Sequence, residues 1–239
     1  CFNISYSQSG WVWQNPKPGI GPANYSTFFV NENTGWLSSG NSISISTNGG
    51  ESWTKQFESS VYAIYSLNFL NTQTGYACGP YGRIYSTTNG GTNWQTKIVG
   101  DTINFFSCVY FRDAQTGFLG EYRNQYFYKT TNAGVNWIRS SIALTGVAIP
   151  VYMNFFSEND GIIVTSSTFF GSSGGNSTCY KTTNGGLNWS ALLNPPGSNS
   201  YFLRNGFFLN MQTGWLSGQD TIFKTTNSGV NWSRSPAKG

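Results

Sequence analysis

Histidine is absent from this sequence of 239 residues. That removes Ser-His-Asp and Cys-His nucleophilic chemistry, and with it the commonest transition-metal ligand. Charge is scarce as well: 9 % of residues carry it, against roughly 25 % in an average soluble domain. The 13 Lys and Arg outnumber the 9 Asp and Glu for a net charge of +4, but they are scattered singly. A nucleic-acid groove gathers its cations on one element, so no nucleic-acid partner is expected. Long apolar runs are missing too. Residues 147–156 form an apolar stretch, yet it is far shorter than a membrane span and contains Pro150. The four cysteines include no CxxC pair, which argues against a metal centre, and no cofactor is expected.

What the chain has instead is aromatic residues (17 %), 29 glycines and many Asn, Ser and Thr. Such a composition can bury a large core, which excludes general disorder. The aromatics recur in a motif, S/T-x-N-x-G-x-x-W, that appears five times: Asn48 with Trp53, Asn89 with Trp94, Asn132 with Trp137, Asn184 with Trp189, and Asn227 with Trp232. The tryptophans stand 41, 43, 52 and 43 residues apart, the length of one four-stranded propeller blade. A second motif interleaves with the first. Asn31-x-x-Thr34-Gly35-Trp36 returns at Asn71, Asp113 and Asn210, and in degenerate form as Ser157-x-x-Asp160-Gly161-Ile162. Together they punctuate four strands, a to d, per repeat. In the second repeat these are residues 64–70, 76–79, 83–88 and 93–98. The Thr-Gly turn closes a onto b, and Asn-Gly-Gly closes c onto d, because that hairpin needs positive φ. The Trp is expected to return into the space between sheets.

The fold class is therefore all-β: a β-propeller of five four-stranded repeats, about 25–57, 61–99, 103–140, 148–193 and 201–235, in a single domain over 1–239. From Trp13 to Gly35 is 22 residues, as from Trp53 to Gly75, so residues 11–15 read as an extra outer strand ahead of the first repeat. The fourth repeat carries an insertion at its b–c connection, residues 168–177.

The five boxes resemble the Asp box of BNR-repeat propellers, with Asn in place of Asp. Combined with the Thr-Gly-aromatic turn, they are most similar to the photosystem II assembly-factor-like propellers of secreted bacterial proteins. The resemblance covers Trp11 to Arg234. It implies a non-enzymatic, protein-binding propeller whose boxes are turns rather than active-site parts.

Weighed as chemistry, the nine carboxylates do not announce a glycosidase, which needs two of them facing each other. Asp113 and Asp160 belong to hairpin turns and Glu51 to a box. Glu121 and Asp220 lie in b–c connections and could share a face. Loops vary where function varies, so a partner site is expected on the face of the b–c and d–a connections. Its candidates are Tyr81, Arg83, Glu121, Tyr122, Arg123, Phe169, Phe170, Gln219 and Asp220. Cys78 and Cys108 read either as buried small residues or as a disulfide between neighbouring repeats. The chain begins with Cys1 rather than Met and shows no leader, as a processed export product would, and an N-terminal Cys is where a lipid anchor attaches. The leading functional expectation is a secreted or cell-surface, non-enzymatic interaction module with a protein partner or with itself. A glycan-binding or sialidase-like propeller is the alternative, and an assembly factor the next. Strand pairing through residues 1–16 is the expected route to self-association.

Overall fold

A computed structural model of the chain describes residues 24–60, 62–122, 126–141, 149–166, 177–192, 203, 205–218 and 221–236. It is all-β and contains no helix among these residues, so none is long and apolar enough to cross a membrane. Twenty strands form five four-stranded antiparallel sheets, each a simple meander. The first blade is β1 (Asn24–Phe29), β2 (Gly35–Ser39), β3 (Ser42–Ser46) and β4 (Thr54–Glu58). The second is β5 (Ser66–Phe69), β6 (Gly75–Cys78), β7 (Arg83–Thr87) and β8 (Gln95–Ile98). The third is β9 (Phe106–Phe111), β10 (Gly117–Glu121), β11 (Tyr126–Thr130) and β12 (Ile138–Ser141). The fourth runs through β13 (Ile149–Phe155), β14 (Gly161–Ser166), β15 (Thr178–Thr182) and β16 (Ser190–Ala191). The fifth is β17 (Asn205–Phe208), β18 (Gly214–Ser217), β19 (Thr221–Thr225) and β20 (Ser233–Pro236). These are the blades of a five-bladed β-propeller, with the first strand of each nearest the axis. The outer strand expected over residues 11–15 lies outside the described residues.

Burial falls from axis to rim, and the sequence follows it. Second strands such as Gly75–Cys78 and Gly161–Ser166 are buried at every position, because both faces meet a neighbouring blade, so they are apolar or small throughout. Fourth strands meet solvent; Gln95–Ile98 is exposed throughout.

Each repeated motif has a physical task. In the a–b hairpin, the Oδ1 of Asn31 accepts the N–H of Asn33 and of Thr34 at 3.0 and 2.8 Å. Asn71, Asp113 and Asn210 do the same. In the degenerate copy the Ser157 hydroxyl accepts from Asn159 and Asp160 instead. The glycine that follows makes room for a ring. A Cβ on Gly117 would stand 2.6 Å from Phe111, one on Gly35 2.6 Å from Phe29, and one on Gly161 2.8 Å from Phe155. Gly75 and Gly214 lie just as close under Phe69 and Phe208.

In the box, one hydroxyl and one amide oxygen hold the whole turn. Thr87 Oγ1 donates to Asn89 Oδ1 at 3.0 Å and accepts the Gly91 N–H at 2.9 Å. Asn89 Oδ1 also accepts the Asn93 N–H at 2.9 Å. The other four boxes repeat this pattern. Only an acceptor oxygen is needed, which is why Asn serves where Asp would. The two residues after the Asn sit at positive φ, and in two boxes the first of them is not glycine: Ala133 at 57° and Ser228 at 59°.

The box tryptophans are half-buried rather than enclosed. Each meets the last phenylalanine of its own first strand edge-on. The pairs are Trp53–Phe29, Trp94–Phe69, Trp137–Phe111, Trp189–Phe155 and Trp232–Phe208, at 5.8 to 6.4 Å with planes 78 to 89° apart. That phenylalanine is stacked from its other side by the preceding blade: Trp36 on Phe69, Tyr76 on Phe111, and Phe118 on Phe155, at 3.6, 3.4 and 4.3 Å. Offset and edge-on aromatic pairs of this kind contribute about 0.5–1.5 kcal/mol each beyond area burial.

Four apolar clusters fill the junctions between successive blades, one for each of the first four junctions. Side chains also staple one inner strand to the next. Ser26 Oγ accepts the Leu67 N–H, Ser66 Oγ that of Val109, Asn68 Oδ1 that of Phe111, and the Tyr152 hydroxyl that of Phe208, at 2.9 to 3.2 Å.

The disulfide reading of Cys78 and Cys108 is corrected: both are free, buried thiols, Cys78 in the second junction and Cys108 in the third, as Cys179 is in the fourth. Cys78 Sγ donates to the Phe106 carbonyl at 3.4 Å. Burial pushes the Cys108 thiol up to about 12, so it stays protonated and packs as a small apolar group.

Candidate functional site

On the face of the b–c and d–a connections, main-chain bonds stitch neighbouring loops together. In the second blade, the Gly82 N–H donates to the Asn104 carbonyl and the Val99 N–H to the Gly82 carbonyl, both at 2.8 Å. Phe106 N–H reaches the Gly79 carbonyl, and Tyr122 N–H reaches that of Phe105. This lattice props Tyr81 at φ 60°, in the left-handed region that side chains rarely adopt.

Tyr81 is held there between two rings, Tyr62 at 4.1 Å and Phe105 at 5.2 Å. Beside them Tyr25 meets Tyr65 edge-on at 5.2 Å. Burial raises the Tyr65 phenol above its ordinary value, and the nearby phenols of Tyr25, Tyr81 and Tyr122 push it further. All six rings are half-buried, so each is fixed and each shows a surface. They form one uncharged aromatic platform across the first three blades.

The platform adjoins the mouth of a central cavity of about 690 Å³, because Tyr25 and Tyr65 line both. Residues of all five inner strands face the cavity, and none of the described lining residues is charged. Tyr110 donates its hydroxyl to the Phe155 carbonyl at 3.0 Å, and burial pushes the Tyr152 phenol up to about 12. The cavity thus offers hydroxyls, amides and ring faces.

Of the residues singled out from sequence, the structure brings Tyr81 and Tyr122 into the platform. Arg83 opens β7, half-buried, and its Nε is enclosed without a hydrogen bond among the described residues. Glu121 is a correction: it ends β10 fully enclosed, opposite Phe106. Enclosed there, it has no exposed surface to offer a partner, and it contributes, after burial, to raising the Tyr128 phenol. Arg123, Phe169, Phe170, Gln219 and Asp220 lie outside the described residues. Sequence reasoning missed Tyr25, Tyr62, Tyr65 and Phe105. A signal existed: Tyr25, Tyr65 and Phe105 stand 40 residues apart, each at or just before the entry to an inner strand. Among the described residues no three His, Cys, Asp or Glu side chains converge as a metal site.

No protein-family model matches the chain, and no curated protein matches it. Solved structures do match in fold. One is YCF48 from Cyanidioschyzon merolae, 14 % identical with a TM-score of 0.58 over 89 % of this chain and 84 % of that one. A YCF48 bound to D1 peptide is 17 % identical, with a TM-score of 0.53 over 88 % and 80 %. A streptogramin B lyase is 12 % identical at a TM-score of 0.68 over 90 % and 69 %. A GH74 xyloglucanase from Xanthomonas campestris is 13 % identical at 0.64, but this chain spans only 38 % of it. At such identities the likeness establishes the propeller fold alone.

Proposed function

We propose that this propeller is a non-enzymatic interaction module that binds a protein or peptide partner on its tyrosine platform, and that it works outside the cell. One observation carries the reading: among the described residues, the platform and the cavity it adjoins are aromatic and uncharged. Rigid tyrosines bury much area at little entropic cost and dominate binding energetics in protein interfaces. General acid–base catalysis needs titratable groups near the working pH, and a glycosidase needs two facing carboxylates; among the described residues the cavity lining supplies neither. The peptide seen on one structural neighbour is consistent with a protein partner. The low charge and the abundance of Asn, Ser and Thr support the extracellular placement, which fractionation of the native host tests.

The test is to capture partners from that host with the intact chain and with Tyr81→Ala and Tyr62→Ala. Loss of an anchoring tyrosine is expected to weaken a true partner by about 2 kcal/mol, roughly thirtyfold. Retention of every partner by both variants overturns the platform. Turnover of a polysaccharide or small substrate by the intact chain overturns the non-enzymatic reading, and selective retention on a glycan array would replace the protein partner with a carbohydrate.

A further inference from the structure

Asparagine stands before glycine four times in this sequence, at Asn48, Asn89, Asn184 and Asn205. The pair is chemically fragile. A glycine nitrogen can attack the side-chain carbon of the asparagine before it, because glycine has no Cβ to obstruct the approach. Ammonia leaves, a five-membered imide forms, and water reopens the ring to aspartate or to its β-linked isomer. In a folded chain the outcome depends on what holds the glycine N–H and on where the carboxamide lies. The four pairs are held in two different ways.

In the boxes both reacting groups are engaged elsewhere. The Gly49 N–H donates to the Asn33 carbonyl at 2.9 Å, the Gly90 N–H to Gln73 at 2.8 Å, and the Gly185 N–H to Asn159 at 2.9 Å. Each of these acceptors belongs to the a–b hairpin of the same blade. The side-chain oxygens of Asn48, Asn89 and Asn184 meanwhile accept from Ser46, Thr87 and Thr182 and from the main chain four residues on. Nucleophile and electrophile are thus fixed to different partners, and reaction must wait until the turn opens.

Asn205 is held the other way. It is exposed at the start of β17, and its own Oδ1 accepts the Gly206 N–H at 2.8 Å. The nitrogen therefore rests against the carboxamide it attacks, which is the proximity a near-attack conformer requires. The cause lies in the preceding blade. At the equivalent places Leu67 and Val109 give their N–H to Ser26 and Ser66. In the fourth blade Tyr152 stands where that serine would be, and its longer side chain reaches past Gly206 to the Phe208 N–H at 3.1 Å. Glycine follows Asn205 because nothing larger fits: a Cβ there would stand 2.9 Å from Val164. Packing between blades, rather than a turn, creates this pair.

We propose that Asn205 is a site of spontaneous deamidation in the folded protein, and that the three box asparagines are protected from it. Rotation of the exposed carboxamide about its Cβ–Cγ bond releases the Gly206 N–H to water or hydroxide, which takes the proton, and turns Cγ toward the nitrogen. The N–Cγ bond forms, the Cγ–Nδ2 bond breaks, and the amide nitrogen leaves as ammonia. Water then opens the imide, so one amide and one water become one carboxylate and one ammonia, with no oxidation. Asn205 and Gly206 both line the central cavity. The modification therefore sets a carboxylate into a wall whose described residues carry no charge. The aspartate form keeps an acceptor for the Gly206 N–H, now a charged one. The β-linked form adds a methylene to the main chain and disturbs the pairing of Asn205 with Ser217. None of this depends on the tyrosine platform.

The full chain is incubated at mildly alkaline pH, folded and in urea, then digested with pepsin in acid and mapped by mass spectrometry. In the folded chain Asn205 is expected to lose its amide about tenfold faster than any box asparagine, the factor for one hydrogen bond that must open first. In urea the four sites are expected to react alike. Asn205→Gln, an exposed change, is expected to abolish the early acidic species on ion exchange. Asn71→Ala removes the acceptor of the Gln73 and Thr74 N–H groups in the hairpin that holds Gly90. It is expected to speed loss at Asn89 about threefold, within the span of a neutral hydrogen bond, and to leave Asn205 unchanged. Box asparagines that react as fast as Asn205 in the folded chain, or an Asn205 amide lost only in urea, overturn the proposal. An Asn89 rate unmoved by Asn71→Ala overturns protection by the hairpin.

Discussion

Glycine appears twice in every repeat for two different reasons, and substitutions separate them. Gly117 has no Cβ because the Phe111 ring occupies that space, 2.6 Å from where the atom would be. Gly117→Ala must displace a ring that is stacked by Tyr76 and met edge-on by Trp137. It is expected to cost about 1–3 kcal/mol in a urea melt, the range for overpacking. The box glycines answer to backbone instead. Ala133 stands at φ 57° where three other boxes have glycine, and an L-residue there is strained by roughly 1–2 kcal/mol. Ala133→Gly is therefore expected to raise stability by about 1 kcal/mol despite adding chain entropy to the unfolded state; a lower midpoint would show that the Ala133 methyl packs usefully. The need for positive φ was legible in the Asn-Gly-Gly repeats. The clearance for the ring was not, because sequence spacing shows that a phenylalanine and a glycine recur without showing that they touch.

At the scale of the strand and the turn, the sequence located all four strands of the second repeat to within two residues, since two kinds of punctuation bracketed every strand. It misjudged depth. A recurrent tryptophan next to a hairpin reads as core, but the box places it at the rim, where one edge meets phenylalanine and the other meets water. Enclosed tryptophans cost about 3–5 kcal/mol on truncation. Trp137→Ala is expected to cost less, about 2–3 kcal/mol, losing the edge-on contact with Phe111 and the 3.1 Å bond from Nε1 to the Gly134 carbonyl. A loss under about 1 kcal/mol by thermal or urea melting would mean the box turn holds without it. The platform escaped sequence reasoning for a related reason: its residues come from three blades and from two kinds of connection. Only their arrangement about the axis makes them neighbours.

For the molecule as a whole, the absence of histidine and the placement of its buried acids set the response to pH. Cys108 is raised from its ordinary 9.0 to about 12 by burial, and Tyr152 from 10.0 to about 12, with burial outweighing its bond to Phe208. Both are neutral when folded and ionise more readily when unfolded. Their contribution to stability is complete below about pH 9 and is lost as pH rises toward 12. Stability is expected to stay nearly level from pH 6 to 8 and to fall above 9. Cys108→Ala should blunt part of that alkaline decline, and an unchanged profile would place the loss elsewhere. The fold class and the number of blades were legible because periodicity is a property of the chain. The lack of an apolar cluster between the last blade and the first, among the described residues, was not, since nothing in a tandem repeat states how its two ends meet.

Apolar clusters join each blade to the next, from the first to the fifth, and among the described residues none joins the fifth to the first. Each blade is coupled only to its immediate neighbours, through a stacked phenylalanine and a handful of staples, so cooperativity passes along the array one link at a time. Among the described residues the inner blades are gripped on two sides and the terminal ones on a single side. Amide exchange in the native protein should therefore show a gradient, slowest in β9 and β10 and fastest at β1 and at β17 to β20, as the array frays from both ends inward.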